Sequence, residues 1–64
     1  MTREDVIKAV AEIEKNKDDD ERAHSEENRL HAAVLRYYAE GGTDPELARE
    51  ALKTQEIDFA RWCA

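Results

Sequence analysis

The chain has 64 residues, of which 16 are acidic and 10 are basic, so its formal net charge is −6 at neutral pH. This length allows one domain with a small core, and the negative charge excludes the general electrostatic attraction that draws proteins to nucleic acids and anionic lipids. A single cysteine excludes an intrachain disulfide, so stability has to come from helix packing or self-association. Apolar residues recur at helical spacing, which indicates a folded domain.

The first predicted helix covers about residues 3–16. Thr2 and Asp5 have the spacing of a capping box, and Glu4 adds negative charge to the first turn. One apolar face follows, formed by Val6, Ile7, Val10 and Ile13.

A polar segment over residues 14–22 follows this face, and it has two interpretations. In an unbroken helix from Thr2 to Glu40, the apolar stripes before and after the segment would be rotated by more than a quarter turn. A turn near residues 16–19 lets both stripes face one core, and this interpretation is favoured. The basic residues Lys15 and Lys17 suit a helix C-terminus there.

The second predicted helix covers about residues 19–40. Asp18 with Glu21 has capping-box spacing at its start, and Ser25 is an alternative N-cap that would lengthen the acidic linker. Its end is marked by Gly41, which suits the left-handed conformation of a helix C-cap.

The third predicted helix covers about residues 44–62, with Asp44 as N-cap and Pro45 at the first helical position. Leu47 and Ile57 lie off its main face, so we expect this helix to be kinked near residues 53–55 or contacted from two sides. The main face comprises Ala48, Leu52, Gln55, Phe59 and Trp62.

These elements predict an all-α fold, a small three-helix bundle in which a helical hairpin is joined by a C-terminal helix. The large apolar residues are few for a chain of this length. Covering Leu35, Leu47 or Ile57 with a second copy would complete the core, so we expect a homodimer or higher homo-oligomer.

Most of the net charge lies in one short stretch, where six carboxylates accompany only Arg22. Such a patch favours a partner protein with a basic surface, and the alternative is a solvated turn that keeps the chain soluble. Tyr37 and Tyr38 point about 100° apart, so one of them should meet solvent or a partner, and Trp62 is either a core or an interface anchor. The predicted partner-binding residues are Asp18, Asp19, Asp20, Glu21, Glu26, Glu27, Tyr38 and Trp62.

Catalytic and metal-binding chemistry is not predicted. His24, Glu27 and His31 share one side of a helix, but the two histidines are about 10 Å apart along its axis, too far for one ion without a further helix. Cys63 lies at the penultimate position and lacks a fixed base. The sequence does not combine a nucleophile, a general base and a residue that would orient the base. We therefore expect neither an enzyme nor a cofactor.

Nucleic acid is also not the expected partner. The turn before the third helix is compatible with a helix-turn-helix, but that helix is net negative. The alternative function is a dimeric DNA-associated regulator that presents Arg29, Arg36 and Arg49 to phosphates. No stretch approaches membrane-spanning length and the first residues lack signal-peptide features, so we expect a cytoplasmic protein without a membrane partner.

The run EENRLHAAVLRYYAEGG at residues 26–42 and the ending ALKTQEIDFARWCA at residues 51–64 resemble a family of short acidic proteins of actinobacterial phages, particularly those of mycobacteria. This resemblance covers most of the chain and provides no active-site residues. It implies a phage accessory protein in the bacterial host cytoplasm that binds and redirects a host or phage protein. The combined prediction is a small acidic helical interaction module.

Overall fold

The computed structural model describes residues 1–61 and contains three α-helices. They are α1 (Arg3–Lys15), α2 (Asp20–Ala39) and α3 (Pro45–Leu52), and a 3₁₀ turn over Lys53–Glu56 follows α3. No strand occurs in this part of the chain, which confirms the predicted all-α three-helix bundle. No helix within residues 1–61 is long and apolar enough to cross a membrane.

The caps of α1 and α3 are those that the sequence predicts. The Thr2 hydroxyl accepts a hydrogen bond from the Asp5 N–H at 3.2 Å, and the Asp5 carboxylate accepts one from the Thr2 N–H at 2.9 Å. At α3, the Asp44 carboxylate accepts the Glu46 N–H at 3.1 Å, and Pro45 occupies the first helical position. Each cap satisfies N–H groups that have no partner inside the helix.

The hairpin between α1 and α2 turns where it was predicted, and the interpretation as one long helix was wrong. The cap of α2 is Asp19, whose carboxylate accepts the Arg22 N–H at 3.2 Å. Neither Asp18 nor Ser25 takes that role, and Ser25 lies exposed within α2. The turn brings the apolar faces of α1 and α2 to the same core.

The third helix is shorter than predicted, because α3 ends at Leu52, Ile57 has an extended backbone, and residues 58–61 form no helix. In extended backbone successive side chains alternate between two sides. Ile57 and Phe59 are therefore both buried, whereas Asp58 between them is exposed. The prediction of helix over residues 44–62 was wrong for residues 57–61, and the 3₁₀ turn coincides with the expected kink.

The core lies between the three helices and this extended segment. In α3 the buried residues are Leu47 and Ala51, four positions apart, so the main face of the helix was assigned incorrectly and Leu52 is 61% exposed. Leu47 and Ile57 need no second copy to cover them, whereas Leu35 remains 71% exposed. The buried apolar residues are Val6, Ile13, Ala23, Leu30, Val34, Leu47, Ala51, Ile57 and Phe59.

The turn between α2 and α3 needs two glycines for different reasons. Gly41 has a φ of +99°, as predicted for a left-handed position that L side chains rarely adopt. At Gly42 an added Cβ would overlap the ring of Tyr37. The two N–H groups close the turn, since Gly41 donates to the Tyr38 carbonyl at 3.1 Å and Gly42 to the Tyr37 carbonyl at 2.9 Å.

Candidate functional site

The turn between α1 and α2 carries an acidic corner, defined by Asp18, Asp19, Asp20, Glu21 and Glu26. The first four are exposed and Glu26 is half-buried. The nearest basic groups neutralise little of this charge. Lys17 pairs with Glu14 at 3.1 Å, and the Arg22 Nε lies 4.0 Å from the Glu26 carboxylate. Five carboxylates thus lie beside two basic residues, Lys17 and Arg22, at one end of the molecule.

Hydrogen bonds fix three of these carboxylates in place. Besides the cap formed by Asp19, the Asp20 carboxylate accepts the Ala60 N–H at 3.2 Å, and the Glu26 carboxylate accepts the Asn16 amide at 3.1 Å. These bonds join α1, α2 and the extended C-terminal segment at the corner. Asp18 and Glu21 are exposed, and Asp18 interacts electrostatically with the neighbouring Lys17. Both carboxylates are accessible to a partner.

Glu27 does not belong to the exposed patch in which it was predicted. It is 3% exposed, and both of its carboxylate oxygens accept hydrogen bonds from Arg61, at 2.8 Å from Nε and 3.1 Å from Nη2. The reason lies in α2, where Glu27 stands one turn after Ala23 and one turn before Leu30 on the core-facing side. This spacing was visible in the sequence, but counting charges along the chain ignored it.

The sequence analysis did not predict a structural role for Arg61, but its side chain makes several contacts that hold the end of the described chain against α2. Its guanidinium also donates to the backbone carbonyls of Thr54 at 2.8 Å, Ile57 at 3.2 Å and Phe59 at 3.3 Å. It lies over the Phe59 ring, 3.9 Å from the centroid. Arg61 therefore provides charged donors for three carbonyl groups of the chain that follows α3, one of which, that of Thr54, also accepts the Ile57 N–H at 3.1 Å.

The environment of the Glu27 carboxylate determines its charge. Burial raises the pKa of Glu27, but hydrogen bonds from Arg61 and Thr54, together with the Arg61 charge, outweigh burial and hold this pKa below its ordinary value. The Thr54 hydroxyl is fully buried and also lies 3.0 Å from the Nε2 of His31. Glu27 is thus an ionised, fully engaged structural group.

The polar line of His24, Glu27 and His31 does not form a metal site. Glu27 is engaged by Arg61, and His31 contacts Thr54. Among residues 1–61 no group of three or more His, Cys, Asp or Glu side chains is placed to hold a metal ion. Cys63 lies outside the residues that the structure describes.

Tyr38, predicted to bind a partner, is half-buried and takes part in an intramolecular contact. Its hydroxyl donates to the Asp44 carbonyl at 2.5 Å, while the Tyr37 hydroxyl accepts the Asp44 N–H at 3.1 Å. The Asp44 carboxylate also accepts two hydrogen bonds from Arg3, at 2.7 and 3.0 Å, which lower the pKa of Asp44. Asp44 therefore connects all three helices. Trp62, the other predicted aromatic, lies outside the described residues.

A second surface was missed by the sequence analysis because Leu52 was assigned to the core. Leu35 of α2 and Leu52 of α3 are the most exposed large apolar side chains between residues 1 and 61. They border a shallow groove of about 310 Å³, and we call this area the leucine surface. The groove is lined by His31, Val34, Leu35, Ala48, Ala51 and Leu52.

Comparisons of the chain with protein-family models, with curated proteins and with solved structures find no match. The resemblance to phage accessory proteins therefore stays a prediction. Within residues 1–61, the acidic corner and the leucine surface are candidate contact sites for another molecule.

Proposed function

We propose that the protein is a small helical interaction module whose acidic corner binds a basic surface of another protein. The observation that carries this proposal is the clustering of Asp18, Asp19, Asp20 and Glu21, all exposed, at one end of the molecule. A field of one sign attracts an oppositely charged surface and increases the rate of association. The resemblance stated above predicts a host or phage protein as partner, in the cytoplasm of the bacterial host.

The rigidity of the corner supports the proposal. Asp19 caps α2 and Asp20 bonds to Ala60, so the backbone that presents the carboxylates is already ordered before a partner arrives. A partner then gains electrostatic contact without the entropic cost of ordering a loop. Since the carboxylates remain in water, we expect them to contribute to association rate and specificity more than to tight affinity.

The test uses Asp18 and Glu21, the two corner residues that neither cap α2 nor bond to the C-terminal segment. In Asp18→Lys/Glu21→Lys the net charge rises by four, while the Asp19 cap and the Asp20 contact are kept. A matched variant, Glu12→Lys/Glu40→Lys, makes the same charge change at exposed positions away from the corner. Both variants and the wild type are used to capture proteins from a bacterial host lysate, and captured proteins are identified by mass spectrometry.

A partner bound through the corner should be retained by the matched variant and lost by the corner variant. Binding of the purified partner should weaken at least tenfold in the corner variant and should also weaken as salt is raised from 50 to 300 mM. Equal binding by the two variants, or binding that salt does not change, would refute the role of the corner.

The DNA-associated alternative rests on Arg29, Arg36 and Arg49, which are exposed. Arg49 is paired with Glu46, and Lys53 of the same region with Glu50, so α3 offers little unpaired positive charge to phosphates. Protein binding therefore remains the proposal. An electrophoretic mobility shift with duplex DNA at low salt tests the alternative, and a stable complex there would support it.

A further inference from the structure

We propose that the leucine surface is the contact face of a homodimer, in which Leu35 and Leu52 of one copy pack against the leucine surface of a second copy. These side chains are 71% and 61% exposed although their helices are otherwise well packed. They come from different helices and lie on either side of one groove. This inference concerns a different face from the acidic corner and does not depend on it.

The shape of the groove suits a leucine side chain from a second copy. Val34 and Ala51 are buried beneath it, and Ala48 is too small to fill it. A two-fold axis through such a surface lets each copy insert a leucine between Leu35 and Leu52 of the other, so that both copies provide a side chain and a groove. Exposed alanines beside Leu35 let the second backbone approach closely; they are Ala32 and Ala39.

The charges around the leucine surface favour a second copy over a strongly charged partner. The ionic residues of α3 already pair along the helix, Glu46 with Arg49 and Glu50 with Lys53. Arg36 follows Leu35 but points about 100° further round α2. The surface therefore provides little net charge for a highly acidic or highly basic partner to recognise, and an equally uncharged apolar surface is what the second copy supplies.

The net charge of −6 does not oppose this dimer, because its source is distant. Asp20 precedes Leu35 by 15 residues, which is roughly 22 Å along an α-helix. Electrostatic interactions in water are screened over about 8 Å at physiological ionic strength. Two copies can thus join at their leucine surfaces without placing one acidic corner against the other.

The available area sets the expected strength of the dimer. The two leucines with the neighbouring alanines offer roughly 300 Å² of apolar surface per copy, the size of an ordinary functional patch. With its polar rim, the interface would bury about 900 Å² in total, less than the 1,200 Å² or more that stable complexes bury. We therefore expect a reversible dimer that forms at high protein concentration.

Sedimentation equilibrium between 5 µM and 1 mM tests the proposal on the full chain. The wild type should change from monomer to dimer across this range. Leu35→Gln and Leu52→Gln should each weaken association at least tenfold, since every dimer loses two apolar contacts. Ile7→Gln on α1 is the matched control, because Ile7 is also a partly exposed apolar side chain, and it should change the Kd less than twofold. Glutamine keeps a helix propensity close to that of leucine.

A strict monomer at 1 mM would overturn the proposal and leave the surface to a different protein or to solvent. A dimer that neither leucine substitution weakens, or an open series of larger species, would overturn it as well. ¹⁵N spectra of the wild type give a readout without substitution, and their concentration-dependent shifts should fall near Leu35, Ala48 and Leu52 and spare Asp18. The corner variant Asp18→Lys/Glu21→Lys should dimerise normally, so failure of the dimer and failure of the acidic corner are distinguishable.

Discussion

Replacing Arg61 by methionine should destabilise the domain by about 3 kcal/mol, because the substitution leaves the Glu27 carboxylate buried without its charged partner. Methionine is unbranched and apolar, and it removes every donor of the guanidinium together with the contact of that group with the Phe59 ring. The backbone carbonyls of Thr54 and Ile57 then lose the hydrogen bonds that Arg61 donates, and Thr54 keeps the one from the Ile57 N–H. The extended segment after the 3₁₀ turn should separate from α2 more readily than in the wild type.

The magnitude follows from burial and from the number of bonds. Breaking a fully buried ion pair by removing one partner costs about 3–5 kcal/mol. The Glu27 side chain is 4% exposed, but that of Arg61 is 31% exposed, so water partly screens the interaction and the lower end applies. A chain of this size has a total stability of roughly 3–10 kcal/mol. At about 4–8 °C per kcal/mol, the midpoint of thermal unfolding should fall by roughly 12–24 °C.

Urea unfolding followed by circular dichroism measures this loss and divides it between the two residues. A double-mutant cycle compares the wild type with Arg61→Met, Glu27→Gln and the double variant. It should give a coupling energy between the two residues of about 1–3 kcal/mol. Arg29→Met, an exposed arginine of α2, is the control and should stay within about 0.5 kcal/mol of the wild type. If Arg61→Met costs no more than this control, or if the coupling is absent, the pair does not hold the C-terminal segment.

The same pair predicts a loss of stability in acid. The folded-state pKa of Glu27 lies below the ordinary value of 4.5, so near and below that pH the unfolded chain binds more protons than the folded one. The contribution of Glu27 is complete above about pH 4.5 and is lost as the pH falls through the folded-state pKa. Glu27→Gln should therefore lose less stability than the wild type between pH 5 and pH 3. Equal losses in urea titrations at these pH values would contradict the assignment.

Two further predictions concern the connection between α2 and α3. Asp44→Ala should cost about 1–2 kcal/mol because the cap of α3 is lost, whereas Asp44→Asn keeps the cap, loses the exposed Arg3 pair and should be less destabilised. Chemical denaturation of the two variants measures the difference, and equal losses would show that the cap contributes nothing. Gly41→Ala should cost about 1–2 kcal/mol through backbone strain alone, whereas Gly42 does not have a positive φ and Gly42→Ala should instead displace the neighbouring tyrosine ring. A tyrosine fluorescence change in Gly42→Ala but not in Gly41→Ala would support this distinction, and identical spectra would contradict it.

The parts of the fold that could be predicted from the sequence are those determined by residues close together in the chain. In the capping box of α1 and the cap of α3, the side chain and the N–H groups that it binds lie within three residues of one another. The left-handed turn at Gly41 is equally local, since only glycine adopts that backbone without strain. Such contacts do not depend on residues that are distant in the sequence, so residue type and spacing are enough to predict them.

The end of α3 could not be predicted in this way, because nothing between Leu52 and Arg61 is a helix breaker. The chain leaves the helix since extended backbone buries both Ile57 and Phe59 and places Arg61 on Glu27. That contact joins residues 34 positions apart, and no local pattern contains it. The same contact removes Glu27 from the acidic patch, although its helical spacing from Leu30 already favoured the core side.

The two proposed surfaces have a joint consequence, because they lie far apart on one small domain. A homodimer through the leucine surface would carry two acidic corners, and a partner with two basic surfaces could engage both at once. Binding through both corners at once raises the overall affinity without any new type of contact, provided that the distance between the two basic surfaces matches the distance between the two corners. We therefore expect Leu52→Gln to weaken binding to an immobilised, densely spaced partner while leaving binding to the same partner as a dilute monomer unchanged. Surface plasmon resonance at high and low partner density measures both, and equal losses at the two densities would show that Leu52 contacts the partner directly.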